Sequence, residues 1–263
     1  MIIHYQNIDN NSGYHGVFLE NTEMTDILSG PTLDSLLDRE VIDERLKELT
    51  GLLDTGFCSE NLLADIQAFE NPEPADLRDW RIGEALAEVI LAESFHCRFH
   101  WNELRDARNP RGNKTGADLV GFIEVDGNVL FLFGEVKTSS EKKSPPQVMT
   151  KADDGIEKQL KDLYSTQSKR QILVTYLKSK TLNLADDHQF KKDYNIALRS
   201  YYGAEHYQLI GVLIRDVDHD EIDVSISYNR IKTTILNPVG LKLIALYTSI
   251  ESTNWHKIIK GSI

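Results

Sequence analysis

The stretch GADLVGFIEVDGNVLFLFGEVKTSS, residues 116–140, consists of two apolar segments on either side of the sequence DGN. An Asp-Gly pair between two segments of this kind is a strong signal for a tight β-hairpin. The stretch therefore predicts two antiparallel strands, over residues 117–125 and 129–137. Their apolar character places both strands in the middle of a β-sheet.

Three charged residues, Asp118, Glu135 and Lys137, interrupt these apolar strands. The side chains of a strand alternate between its two faces, so Glu135 and Lys137 project from the same face. If the hairpin loop is Asp126-Gly127, Asp118 lies opposite Glu135. If the loop is Gly127-Asn128, Asp118 lies opposite Lys137. Both registers bring the three side chains together.

The chemistry of this group indicates a metal site. Burying charged groups is costly unless they are paired or bind a metal, and two converging carboxylates repel each other until a hard cation lies between them. Asp118 and Glu135, with the main-chain carbonyl of Val136, are expected to hold Mg²⁺, with Mn²⁺ as a substitute. Such an ion polarises a phosphate and lowers the pKa of a bound water. Lys137 would position that water or stabilise negative charge on the phosphate. The alternative is an exposed strand face with a Glu/Lys ion pair.

The sequence GAD, followed by 16 residues and then EVK, resembles the D…ExK core of the PD-(D/E)xK nuclease superfamily. Gly116-Ala117 stands where that family has its proline, a departure that affects no ligand. The resemblance implies an α/β fold, a restriction-endonuclease-like mixed sheet flanked by helices. It also implies a Mg²⁺-dependent phosphodiesterase that acts on DNA as a deoxyribonuclease.

Two further residues extend this resemblance. The superfamily commonly contributes a glutamate from the helix before the core hairpin, and Glu84 in RIGEALAEVI is consistent with that catalytic and metal-binding role. A solvated helix face that carries Glu84 and Glu88 is the alternative. Gln159, followed by Tyr164, is similar to the Gln-xxx-Tyr element of the RecB-type branch, although the spacing here is one residue longer.

The order of a helical N-terminal part, WRIGEALAE, GADLVGF and GEVKTS resembles the HamA family of Hachiman anti-phage defence nucleases. That resemblance implies an effector nuclease that works in a complex with a HamB-like helicase. A restriction- or repair-type nuclease remains an alternative, as does a non-catalytic subunit of a nucleic-acid-processing complex. A non-catalytic subunit is disfavoured because a purely structural hairpin has no need of three converging charges.

Composition limits the cellular compartment and the class of protein. The chain has 263 residues, a net charge of −12, and two cysteines without metal-ligand spacing. No disulfide framework or structural zinc is indicated, and a cytoplasmic protein without a membrane span or a secretion signal is expected. Proteins that bind nucleic acid alone usually have a basic face. The acidic charge is therefore explained if the helicase supplies the DNA-binding surface.

The chain is predicted to have two parts, an N-terminal accessory or regulatory region (1–75) and a nuclease-like domain (76–263), joined at the polar segment ENPEPADL. The first part contains the strand-like YHGVFLE and a helical pattern over 33–56. In the second part helices and strands alternate. The predicted helices are 77–95, 151–166, 187–201 and 240–252, and the strands besides the hairpin are 97–104, 170–178, 207–215 and, as an option, 223–229.

Overall fold

A seven-stranded mixed sheet is the centre of the computed structural model, which describes residues 1–56, 58–74, 76–106 and 116–263. The four central strands run parallel, and the outer strands pair antiparallel with their neighbours. This sheet, flanked by helices, confirms the predicted α/β class. In spatial order the strands are β1 (Ile2–Asp9), β2 (Ser12–Leu19), β7 (Gly240–Thr248), β6 (Gln208–Arg215), β5 (Asn128–Ser139), β4 (Leu119–Val125) and β3 (Cys97–Arg98).

Helices cover both faces of the sheet. The first layer contains α1 (Asn21–Ile27), α2 (Leu33–Leu37), α5 (Asp79–Ser94) and α11 (Ser252–Lys260). The second layer contains α6 (Gln147–Thr150), α7 (Ile156–Ser165), α8 (Gln167–Thr181), α9 (Gln189–Ala204) and α10 (Ile222–Lys232). Two further helices, α3 (Arg39–Asp54) and α4 (Glu60–Glu70), pack mainly against each other. A π-helical turn (Leu28–Thr32) joins α1 to α2, and a 3-10 turn (Glu103–Asp106) follows β3.

Strand β5 is buried on both faces of the sheet because both helix layers cover it. Leu130, Leu132 and Val136 belong to the core beneath the first layer, whereas Phe131 and Phe133 belong to the core beneath the second. This alternation has a period of two residues, as expected for a strand. The next two residues of the second set are Glu135 and Lys137, so both project toward the second layer.

Several predicted elements are confirmed. The hairpin strands are β4 and β5, and the strand predicted at 207–215 is β6. The helices predicted at 77–95, 151–166 and 187–201 are α5, α7 and α9, the second of them five residues shorter at its start.

The strand predicted at 170–178 is wrong, because this segment lies inside helix α8. Its buried residues include Leu173, Val174 and Leu177, a spacing that places them on one side of a helix against the second-layer core. The local sequence RQILVTYLK has β-prone residues, but burial of a helical face in the tertiary structure outweighs that preference.

Three other assignments are also corrected. The run predicted as helical over 240–252 forms strand β7 up to Thr248, and every residue of this strand except Lys242 is buried. A strand buried on both faces shows no alternation, so its sequence pattern is not distinguishable from that of a buried helix. The optional strand at 223–229 lies in α10, whose buried residues have helical spacing. The strand predicted at 97–104 is only two residues long, because the chain then leaves the sheet.

The N-terminal region contributes to the same sheet. The segment YHGVFLE lies largely in β2, which pairs in parallel with β7, and β1 forms the edge beside it. The helical pattern over 33–56 is observed as α2 and α3. The division at residue 75 stays a prediction, and residue 75 itself lies outside the described residues. In the described part of the chain, no helix has the length and apolar character needed to cross a membrane.

Candidate active site

The hairpin turn sets the register of the site. Val125 pairs with Asn128, so the loop consists of the two residues Asp126 and Gly127. Both have positive φ angles, 50° and 75°, as a type I′ turn requires. Asp and Gly adopt this conformation at lower cost than most residues do. The first of the two predicted registers is therefore the observed one.

Asp118 immediately precedes the last residue pair of the hairpin, Leu119 with Gly134, and thus lies next to Glu135. Its Oδ2 atom accepts a hydrogen bond from the main-chain N–H of Val136 at 3.0 Å. The strand backbone thereby fixes the Asp118 carboxylate beside Glu135.

Lys137 completes the group of charges. Its Nζ atom lies 3.5 Å from Oε2 of Glu135 and 3.9 Å from Oδ2 of Asp118. The Glu135 side chain is 2% exposed, whereas those of Asp118 and Lys137 are 19% and 25% exposed. The three charged groups converge, as the sequence predicts, and the group opens to solvent on the side of Asp118 and Lys137.

The two carboxyl groups strongly affect each other. Burial, together with the charge of Asp118 and a hydrogen bond to it, raises the pKa of Glu135 to about 9, although Lys137 acts in the opposite direction. In the absence of a cation, the protonated form of Glu135 is therefore favoured. A divalent cation would replace this proton, because metal ligands must be deprotonated.

The donor set fits a hard cation such as Mg²⁺. This ion is usually held by one or two carboxylates, and waters and substrate phosphates complete its octahedron. Asp118 and Glu135 provide such a pair of carboxylates, one buried and one partly exposed. Within the described ranges, no group of three or more His, Cys, Asp or Glu residues is arranged to hold a metal ion.

Glu84 lies on α5, in the first layer. The preceding residue, Gly83, packs closely on β5, since a Cβ atom there would lie 2.7 Å from Oγ1 of Thr138. Glu84 is therefore level with the end of β5 that carries Lys137, but its helix covers the opposite face of the sheet. Both Glu84 and Arg81 are buried, and Arg81 Nη1 donates to Glu84 Oε2 at 3.2 Å. Its role as a third ligand stays a prediction.

Gln159 lies on α7, in the layer toward which Glu135 projects. A Cβ atom at Gly211, the strand partner of Glu135, would lie 2.7 Å from Ile156, so the start of α7 packs beside the site. Gln159 is half-buried one turn further along this helix. Tyr164, by contrast, accepts a hydrogen bond from the main chain of Leu236 at 3.4 Å. A role for Gln159 stays a prediction.

Sequence reasoning did not identify Arg81 or the N–H of Val136 as part of this region. The spacing of three residues between Arg81 and Glu84 is a signal for an ion pair along a helix, and it was present in the sequence. The hydrogen bond from Val136 to Asp118 carries no such signal, because it depends on the register of the hairpin.

Comparison with known proteins identifies the family. No curated protein matches this chain. The family model described as HamA matches residues 14–228, which is most of the chain and includes Glu84, Asp118, Glu135 and Lys137. The chain therefore belongs to the HamA family.

Proposed function

We propose that this chain is a metal-dependent deoxyribonuclease, the effector of a Hachiman-type anti-phage defence system, held and regulated by a helicase partner. The observation that carries the proposal is buried Glu135 beside Asp118, with Lys137 at 3.5 Å from Glu135. Membership in the HamA family supports the defence role. Asp118, Glu135 and Lys137 are also the residues on which the resemblance to the D…ExK core of the PD-(D/E)xK superfamily rests.

Asp118 and Glu135 would hold Mg²⁺ or Mn²⁺, with Glu84 as a proposed further ligand. When bound, the ion supplies charge for the phosphate and a water of lowered pKa. The N–H of Val136 keeps Asp118 in one orientation. The Lys137 side chain is partly exposed, and it stabilises negative charge on the phosphate or orients the attacking water. Glu135 is buried, whereas Asp118 and Lys137 face the solvent from which a substrate would approach.

The net charge of the chain is the argument for control by a partner. A chain of net charge −12 has little long-range attraction for a polyanion, so binding of DNA by the chain alone should be weak and sensitive to salt. A helicase of the HamB type would bring DNA to the site. Helicase movement, or recognition of unusual DNA, would then expose a strand to Asp118, Glu135 and Lys137.

The direct test is a nuclease assay on plasmid and linear DNA. The purified chain and its complex with a HamB-type helicase are incubated with Mg²⁺ or with a chelator, each with and without ATP. We expect cleavage that needs the metal and increases with the helicase and ATP. The absence of any metal-dependent cleavage by the complex would favour the non-catalytic alternative. Equal cleavage by the isolated chain without ATP would instead favour a free-standing nuclease.

A further inference from the structure

The loop between β5 and α6, residues 140–146, begins three residues after Lys137 and is called the β5–α6 loop below. It carries Lys142 and Lys143, and both side chains are exposed. Neither lysine forms an ion pair with any residue in the described part of the chain. By contrast, the nearby Lys151 and Lys158 are paired with Asp154 and Asp162.

A buried arginine holds this loop. Arg215 is the last residue of β6 and is 0% exposed, and its strand partner is Ser139. Its guanidinium donates through Nη1 to the carbonyl of Lys143 at 3.3 Å and through Nη2 to the carbonyl of Glu141. Arg215 lies two residues after Leu213, the strand partner of Lys137, so its side chain projects from the same face as Leu213 and Lys137. The loop that Arg215 holds therefore crosses this face.

The arginine is itself fixed by a buried acid. Arg215 Nη1 donates to Asp223 Oδ1 at 2.6 Å, and both side chains are fully buried. Tyr247 donates its hydroxyl to the other oxygen of Asp223 at 2.9 Å. Removing two charges from water is costly, so a buried ion pair adds little stability as a rule. The clearest structural result of the Arg215–Asp223 pair is the fixed path of the β5–α6 loop.

Two more contacts hold the main chain and ends of the loop. Ser140 donates its hydroxyl to Asp216 at 2.8 Å, and the N–H of Gln147 donates to Glu141 Oε2 at 2.8 Å. Together these contacts hold the main chain of the loop in place and leave its two lysine side chains in solvent. A loop that is already ordered loses less conformational entropy when it binds a ligand.

We propose that Lys142 and Lys143 bind backbone phosphates of the strand on which Lys137 acts, and that Arg215 is the positioning residue for their loop. This inference rests on the proposed nuclease function. Each lysine neutralises a phosphate and releases a condensed counterion, which gives affinity without base specificity. The chain has 41 acidic and 29 basic residues, so two exposed lysines beside the site would supply positive charge that the chain as a whole lacks.

The first experiment measures DNA binding in a chelator, so that no cleavage occurs. A fluorescein-labelled duplex is titrated with the parent chain and with Lys142→Ala/Lys143→Ala over a range of salt concentrations. The slope of log affinity against log salt should become shallower by about 2, since each contact to duplex DNA contributes about 0.9. Lys257→Ala/Lys260→Ala is the matched control, because it removes the same charge from α11 in the opposite layer.

Three outcomes overturn this inference: equal slopes for the parent and the loop variant, an equal loss in the control, or no DNA binding by the parent even at low ionic strength. Its failure is distinguishable from failure of the proposed function. Binding that depends on these lysines, in a protein that never cleaves DNA, would support phosphate binding by the β5–α6 loop and contradict the nuclease proposal.

The second experiment tests the positioning role. Arg215→Met/Asp223→Asn removes the buried ion pair without leaving an unpaired charge, so the fold should persist. DNA affinity should fall to that of the lysine variant. Combining all four substitutions should weaken binding no further, because the arginine acts through the lysines. Additive losses, or parent-like binding by a folded Arg215→Met/Asp223→Asn variant, would contradict the positioning role.

Discussion

The main-chain N–H of Val136 donates a hydrogen bond to Oδ2 of Asp118 at 3.0 Å, across the point where the β-hairpin opens. This bond ties the position of a carboxylate to the register of two strands. Because Glu135 and Lys137 flank Val136 in the chain, the same register places all three charged groups at one point on the sheet.

We expect Glu135→Ala and Lys137→Ala each to abolish Mg²⁺-dependent cleavage, because both groups act on one phosphate. The melting temperature should stay within a few degrees, because Glu135→Ala also removes a buried carboxyl group from beside Asp118, and Lys137 is partly exposed. Cleavage and thermal unfolding are measured on the same preparations. Lys161→Ala on α7 is the control and should cleave normally. Full cleavage by the double variant, where the parent also cuts, would show that the site is elsewhere.

Mg²⁺ or Mn²⁺ should raise the melting temperature by mass action if Asp118 and Glu135 share a cation. Ca²⁺ is expected to bind without supporting cleavage, since its geometry is less strict. Asp118→Asn should reduce the shift, because the amide is a poorer ligand than the carboxylate. Calorimetric titration with metal measures the affinity directly. An unchanged titration in the variant would mean that Asp118 is not a ligand.

The stability of the metal-free chain should depend on pH through Glu135. Its folded-state pKa is raised from 4.5 to about 9. A group with a raised folded pKa contributes stability that is complete below the unfolded value and is lost as pH rises through the folded value. The contribution of Glu135 to the free energy of unfolding should therefore decrease from pH 4.5 to about pH 9.

Urea unfolding in a chelator at several pH values measures this trend. Glu135→Gln is the informative variant, because it cannot ionise and should have a flatter profile. An identical pH profile in parent and variant would show that Glu135 is not held neutral by burial.

Gly83 and Gly51 should respond in opposite directions to substitution by alanine. Both lie within helices, where alanine is favoured over glycine by about 1 kcal/mol. A Cβ atom at Gly51 meets nothing within 4 Å, so Gly51→Ala should stabilise the chain by up to that amount. At Gly83 the Cβ would be 2.7 Å from Thr138 Oγ1, and overpacking costs about 1–3 kcal/mol.

Gly83→Ala should therefore lower the free energy of unfolding, and adding Thr138→Ala should restore part of it. Denaturant unfolding of the parent and the three variants measures both effects. Equal stabilisation by Gly83→Ala and Gly51→Ala would mean that α5 does not pack closely on β5, and Glu84 would then have no fixed place near the site.

Partner control should depend on the hairpin of α3 and α4. Residues 39–70 contain eight acidic and three basic residues, and these helices contact each other more than the sheet. Replacing this segment by a short linker keeps β1 and β2 in the sheet, whereas removing residues 1–70 would delete both strands. We expect the shortened chain to lose helicase binding in size-exclusion chromatography and to keep its melting transition. Normal complex formation would place the helicase contact elsewhere.

The sequence by itself determined the hairpin and the convergence of Asp118, Glu135 and Lys137. These features are local, because an Asp-Gly turn and a period of two residues fix the relative positions of residues that are close in the chain. The helices with a clear apolar face, such as α5 and α9, were predictable for the same reason.

Tertiary structure decided what lies far apart in the chain. The run GLKLIALYT becomes a strand because β2 and β6 lie on either side of it, and RQILVTYLK becomes a helix because its apolar face meets the second-layer core. Arg215 gives no sign in the sequence of holding the β5–α6 loop. Its contacts with Asp223 and with the carbonyls of Glu141 and Lys143 exist only because parallel pairing brings the ends of β5 and β6 together.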